Sequence, residues 1–203
     1  MKLLLTSHGW KYNPKIAKEF LRLAAKEPSE IRIFLVTTAD KKSKDWKWVR
    51  QEMKMITGIG IAKENISIFS LNRKIKKNEL ADRDIVYVCG GNTFLYLYGV
   101  RKTELDREII KFAKKGGLYY GVSAGSVLAG PNIAVAKPFD DSRAVNLKND
   151  RGLRLTDVVI GPHYEGEAVK ILDAFKLRSK YPTVLLTDEQ ALEIVGRKKK
   201  LIK

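Results

Sequence analysis

A single cysteine, Cys89, leaves no partner for an internal disulfide and no thiolate set for a zinc cluster. Histidine is almost as scarce. His8 and His163 are the only two, so any imidazole chemistry must use one or the other. No apolar run approaches the ~20 residues that a membrane span requires. The opening MKLLLTSHGW turns polar too soon for the apolar region of a signal peptide, and reads better as a first strand. No G-x-x-x-x-G-K-[ST] phosphate loop occurs, and the lone GGN at 90–92 is too short for a dinucleotide fingerprint. Internal repeats, low-complexity linkers and domain boundaries are missing as well. These absences lead to the expectation of one cytoplasmic domain with no metal, no cofactor and no membrane partner.

What is abundant is positive charge. Lys and Arg number 39 against 23 Asp and Glu, a formal net charge of +16, which makes nucleic acid the first suspect. The lysines are nevertheless spread along the whole chain. The densest groups, KKSKDWK, NRKIKK and RKKK, fall where loops or exposed helix turns are expected, and aromatic residues are not interleaved with them outside the Trp46–Trp48 stretch. A solubility role fits that scatter better than a nucleic-acid face. A hydrophobic content of 44% is ordinary for a globular chain of this size, which buries roughly 70% of the surface its unfolded form exposes.

Strand and helix patterns alternate from the start. Leu3 to Leu5 forms a short strand, and Asn13-Pro14 supplies an N-cap followed by proline at the first helical position, opening a helix to about Ala25. IRIFLVTT (31–38) is a β-branched and aromatic run suited to burial on both faces. Trp46, Val49, Met53 and Ile56 recur at helical spacing and mark a core-facing stripe. ISIFSL (66–71), IVYVC (85–89), LYYGV (118–122) and VVIGPHY (158–164) read as further strands. Helices are expected after GGNTF, over 103–115 and over 167–178. TVLLT, ALEIV and KLI are expected to close the sheet, the last two joined by a Gly-Arg turn. The pattern predicts a mostly parallel α/β sheet with helices on both faces.

In such a sheet, ligands bind beyond the carboxyl ends of the strands, and three unusual segments fall there. Gly121-Val122-Ser123-Ala124-Gly125 matches G-x-S-x-G, in which small neighbours let a serine sit on a sharp strand-to-helix turn. That turn lifts the Ser123 hydroxyl above the sheet edge and aims the Ala124 N–H at a developing oxyanion. A serine needs a base. His163 follows a strand and a chain-fixing Gly-Pro pair 40 positions beyond Ser123, whereas His8 lies in a Ser-His-Gly loop as the rival. Gly90-Gly91-Asn92-Thr93 allows close backbone approach to a substrate, with Asn92 or Thr93 also suited to cap a helix.

With GGNTF, GVSAGS and GPHY in this order and at these separations, the sequence resembles the dipeptidase E (peptidase E, aspartyl dipeptidase) family of serine peptidases over nearly the whole chain. The resemblance implies a single domain over 1–203 with a flavodoxin-like, class I glutamine-amidotransferase-like fold, cleaving dipeptides with N-terminal aspartate. It implies Ser123 as nucleophile and His163 as general base. It makes the Gly91 and Ala124 N–H groups the oxyanion hole, and places Gly90, Asn92 and Thr93 by the substrate. The family's acid usually follows the elbow in an Asn-Asp setting. Here PNIAVAKPFDDSR places Asp140 and Asp141 a few residues late, and Glu165, two residues past His163, is a rival. The family's aspartate-selecting arginine has no clean counterpart among Lys170, Lys176 and Arg178. The expected partner is a short peptide rather than nucleic acid, with a homodimer left open. Competing readings are a catalytically altered binding protein on the same fold and a cyanophycinase-like hydrolase. A glutamine amidotransferase is disfavoured because its elbow nucleophile is cysteine, and Cys89 lies in no elbow.

Overall fold

The structure, a computed structural model, describes residues 1–38 and 46–203. In chain order its elements are β1 (Lys2–Thr6), α1 (Pro14–Ala24), β2 (Ile33–Val36), α2 (Trp46–Gly58), β3 (Ile66–Phe69), β4 (Ile85–Val88), α3 (Thr93–Lys102) and α4 (Leu105–Lys114). They continue with β5 (Leu118–Val122), α5 (Ala124–Ala129), β6 (Val159–Gly161), α6 (Ala168–Arg178), β7 (Thr183–Leu185), β8 (Ala191–Val195) and β9 (Lys198–Ile202). Local chemistry explains the starts and stops. The Asn13 side chain accepts the Lys15 N–H at 3.0 Å, Pro14 occupies the first turn, and Ala25 closes α1 in the left-handed region at φ 56°. Val49 and Ile56 of α2 are buried, while Trp46 and Met53 pack on the core as partly buried neighbours.

The main sheet runs β3-β2-β4-β5-β1-β8-β9. All pairs from β3 to β1 are parallel, and β8 and β9 add antiparallel strands at one edge. Counted from β2, the first four strands follow the flavodoxin-like order 2-1-3-4, and the N-terminal strand β1 takes the fifth place. Every residue of β2, β4 and β5 is buried, as expected of parallel strands covered on both faces by helices. Beneath the sheet, Trp10, Phe20, Tyr87 and Tyr120 form one aromatic layer, with the Tyr87 and Tyr120 ring centres 4.6 Å apart.

Two expectations are corrected. TVLLT does not close the main sheet, because β8 occupies the free edge of β1 (Thr6 opposite Ala191). Instead β7 pairs in parallel with β6 in a separate two-stranded sheet. RKKK is not a loop either. Its lysines begin β9, an edge strand on which they stand exposed and discourage pairing with a further strand. The lysines of KKSKDWK at 41–45 lie outside the described residues.

Candidate active site

Strand register assembles the site. Thr6 stands beside Val122 and Val88 beside Gly121, so the residues just past the ends of β1, β5 and β4 become neighbours. Ser7, Ser123 and Gly90 therefore meet at one edge. The Ser123 N–H donates to the Thr6 carbonyl at 3.0 Å, and a Cβ added to Gly90 would lie 3.6 Å from the Ser123 Cβ.

Ser123 joins β5 to α5 at φ 49°, ψ −109°. A non-glycine residue persists there only when its surroundings over-determine the turn, at a cost of about 1–3 kcal/mol. The surroundings do so. The Ser126 N–H donates to the Ser123 carbonyl at 2.8 Å, and the Ser126 hydroxyl bonds the Thr6 and Gly121 carbonyls at 2.7 and 2.8 Å. The flanking glycines are required sterically. A Cβ on Gly121 would lie 2.7 Å from the Gly125 backbone, and one on Gly125 would lie 2.3 Å from the Val88 carbonyl oxygen. Gly125→Ala must push α5 off β4, so we expect destabilisation of about 1–3 kcal/mol or more, read as a lowered denaturation midpoint.

The rest of the constellation comes from the small sheet. Because β6 and β7 are parallel with Gly161 opposite Leu185, His163 and Asp188 emerge at the same end, two and three residues beyond that pair. The Leu186 N–H donates to Gly161 and the Tyr164 N–H to Leu186, holding the two exits together. Ser123 Oγ lies 2.8 Å from His163 Nε2, and His163 Nδ1 lies 2.7 Å from Asp188 Oδ1. Burial raises the Asp188 pKa, but the Ser7 hydrogen bond and the nearby His163 outweigh it, and the carboxyl stays below its usual range. An ionised carboxylate only accepts, so Nδ1 carries the imidazole proton and Nε2 is free to accept from Ser123.

Ser7 ties this geometry to the main sheet. Its buried hydroxyl donates to Asp188 Oδ1 at 2.7 Å and accepts the His163 backbone N–H at 2.7 Å. His163 itself sits at φ 56°, so one hydroxyl fixes both the acid and the unusual backbone of its partner.

Several anticipated residues fall elsewhere. Neither Asp140 nor Asp141 reaches His163: Asp140 Oδ2 accepts the Thr93 N–H at 2.8 Å, and Asp141 Oδ1 accepts the Arg143 N–H at 3.0 Å. Glu165 is likewise displaced as the acid, its Oε1 accepting the Asp188 N–H at 2.9 Å. The acid beside His163 is Asp188, which reads in sequence as one more polar residue in a turn. Its place, three residues past the end of β7, becomes informative only once β7 is seen to pair with β6, the strand that leads to His163. Asn92 spends its side chain on a helix cap, Oδ1 accepting Phe94 and Leu95 N–H groups while Nδ2 donates to the Asp141 carbonyl. Thr93 is buried at the start of α3. Gly90 does border Ser123, and Gly91 follows it at φ 146°, with the Tyr96 ring and the Thr38 hydroxyl as the nearest neighbours of a Cβ added there. His8 touches Asp188 rather than Ser123, with Nδ1 3.7 Å from Oδ2. Lys170, Lys176 and Arg178 are exposed on α6, and Arg178 stands ten residues from its start, about 15 Å along the helix.

Known proteins share this arrangement of elements. An uncharacterized peptidase of Listeria monocytogenes is 32% identical over 139 residues, 68% of each chain. A peptidase E of Nostoc is 28% identical over 174 residues, 83% of this chain and 67% of that one. Across the first curated relatives the match spans 60% to 68% of their length. The crystal structure of a candidate peptidase E protein from Listeria monocytogenes superposes with a TM-score of 0.81 at 25% identity, covering 100% of this chain and 98% of that one. The model of Peptidase family S51 matches residues 3–202, from the first strand to the last, and the chain belongs to that peptidase family.

Proposed function

We propose that the protein is a cytoplasmic serine exopeptidase that hydrolyses short peptides, dipeptides with N-terminal aspartate foremost. The observation that carries this reading is the pair of short contacts from Ser123 to His163 and from His163 to Asp188, 2.8 and 2.7 Å. In this mechanism Ser123 Oγ attacks the scissile carbonyl while its proton passes to His163 Nε2. The imidazolium so formed faces the Asp188 carboxylate, which stabilises it without taking the proton. The carbonyl oxygen becomes an oxyanion held by the Gly91 and Ala124 N–H groups. His163 then protonates the leaving amine, and water repeats the sequence in reverse to release the acyl product. The aspartate preference rests on the family resemblance and on the +16 net charge, which favours approach of an acidic substrate.

Purified protein incubated with Asp-Leu, Leu-Leu and N-acetyl-Asp-Leu, with free amine release followed, tests the reading. Hydrolysis of Asp-Leu above the other two is expected. Release from none of a broad dipeptide panel overturns the exopeptidase assignment, and equal rates overturn the aspartate preference.

Asp140 acquires a different role from the one its sequence position suggested. By accepting the Thr93 N–H it holds the Gly90–Thr93 turn against Ser123, and so positions the Gly91 donor. Asp140→Ala is expected to lower kcat by about 10–100-fold, since an ångström of misplacement or a weakened oxyanion donor costs on that order. Asp140→Asn keeps an acceptor oxygen and is expected to cost less. The pH profile of kcat should be unchanged in both, and a shifted profile would return Asp140 to the proton-transfer machinery.

A further inference from the structure

His8 stands in the site without a part in the proposed proton transfer. Its ring centre is 6.0 Å from that of His163, it leans on Tyr12 at 5.1 Å, and its Nδ1 lies 3.7 Å from Asp188 Oδ2. One donor atom from each of His8, His163 and Asp188 falls within 4.8 Å of the others, and among the described residues this is the group that meets such a test. Two imidazoles and a carboxylate match the ligand preferences of zinc, whereas magnesium and calcium favour oxygen donors throughout. Zinc–ligand bonds of about 2.0–2.2 Å place tetrahedral donors roughly 3.3–3.6 Å apart. The donors farthest apart must therefore close by up to about 1.5 Å, whereas His163 Nδ1 and Asp188 Oδ1, now 2.7 Å apart, must part slightly. They can do so: the side chains of His8 and His163 are 40% and 45% exposed, so each ring has open space on one side. The fourth position would be left to water.

We infer that His8, His163 and Asp188 capture a divalent transition metal of the zinc type, and that capture switches hydrolysis off. The inhibition follows from the imidazole's two nitrogens. If the metal takes His163 Nδ1, the proton moves to Nε2, which can no longer accept from Ser123. If it takes Nε2, the lone pair that would receive the Ser123 proton is used up. Either mode also draws Asp188 away from its present hydrogen bond to Nδ1. The inhibition rests on His163 being the general base; the capture of metal does not.

Cobalt(II) titration separates the two, because tetrahedral cobalt absorbs visibly whether or not the protein hydrolyses anything. One equivalent should bind wild-type protein and the Ser123→Ala variant, which keeps all three ligands. His8→Ala and the more conservative His8→Gln should lose the bands. Zinc should inhibit wild-type dipeptide hydrolysis reversibly by chelator, and the His8 variants should need at least about tenfold more zinc. Loss of an outer-shell partner alone costs about 10–100-fold in affinity, so loss of a ligand should cost no less. Absence of cobalt bands in wild type, bands that persist in both His8 variants, or metal uptake with undiminished hydrolysis would each overturn the proposal. Should no peptide be hydrolysed at all, the titration of Ser123→Ala still decides whether the site takes metal.

Discussion

Ser123→Ala should lose at least about 10³-fold in kcat on any dipeptide that the wild type cleaves, with its fold intact. The substitution removes one oxygen from a position where nothing else can substitute for it. The Ser123 backbone N–H and carbonyl, which hold the turn, are untouched. Alanine tolerates φ 49° no better and no worse than serine, so the denaturation midpoint should barely move. Ser123→Gly should be equally inactive yet more stable by about 1 kcal/mol, because glycine relieves the turn's strain. That pairing of lost activity with gained stability separates a strained functional turn from a merely tight one. His163→Ala should cost a comparable factor, and the double variant should be scarcely worse than either single change, since nucleophile and base act as a unit. Additive losses would mean that His163 acts somewhere other than on Ser123. His8→Ala, by contrast, should cost little, because His8 makes no contact with the Ser123 hydroxyl that the structure records.

The elbow was legible because its chemistry is local. The Gly121 requirement arises within the five residues of the motif, where a Cβ would meet the Gly125 backbone, and only the Gly125 requirement reaches outside it, to the Val88 carbonyl of β4. His163 was legible by scarcity, one of two histidines and the one at a strand end. The alternation of elements from β1 to β5 was legible because buried parallel strands read as unbroken apolar runs. Asp188 was not. Its neighbours in sequence are those of any polar turn, and its meeting with His163 depends on β6 and β7 pairing with each other instead of with the main sheet. Nothing in two three-residue apolar runs specifies that choice. It is imposed by β8 already occupying the free edge of β1. Ser7 was missed for the same reason, since its importance arises from the register of β1 on β5 and not from the Ser-His-Gly stretch in which it lies.

Asp188→Asn is the sharper test of that long-range contact. In the wild type, Asp188 Oδ1 accepts both His163 Nδ1–H and the Ser7 hydroxyl. The asparagine carbonyl can occupy the same place and accept both, leaving the amide nitrogen toward His8. Orientation and tautomer are then kept, and only the negative charge is lost. The imidazolium formed as Ser123 gives up its proton would face a neutral dipole, and we expect kcat to fall by about 10²–10⁴-fold. Asp188→Ala should be at least as damaging, because it also frees the ring to rotate. Glu165→Gln, which preserves the acceptor for the Asp188 N–H, and Asp141→Asn should stay within roughly tenfold of wild type. The same charge gives a stability signature. Burial pushes the Asp188 carboxyl up, but the Ser7 hydrogen bond and the His163 contacts bring it below the ordinary value of about 3.9. A depressed folded-state pKa means stability that is fully present above the unfolded value and lost as pH falls through the folded one. Wild type should therefore be more stable than Asp188→Asn at pH 7, with the gap closing once the pH drops below about 4. Near wild-type turnover in Asp188→Asn, together with a stability gap that does not narrow in acid, would remove Asp188 as the partner that stabilises the His163 imidazolium and leave Ser123 and His163 as a dyad.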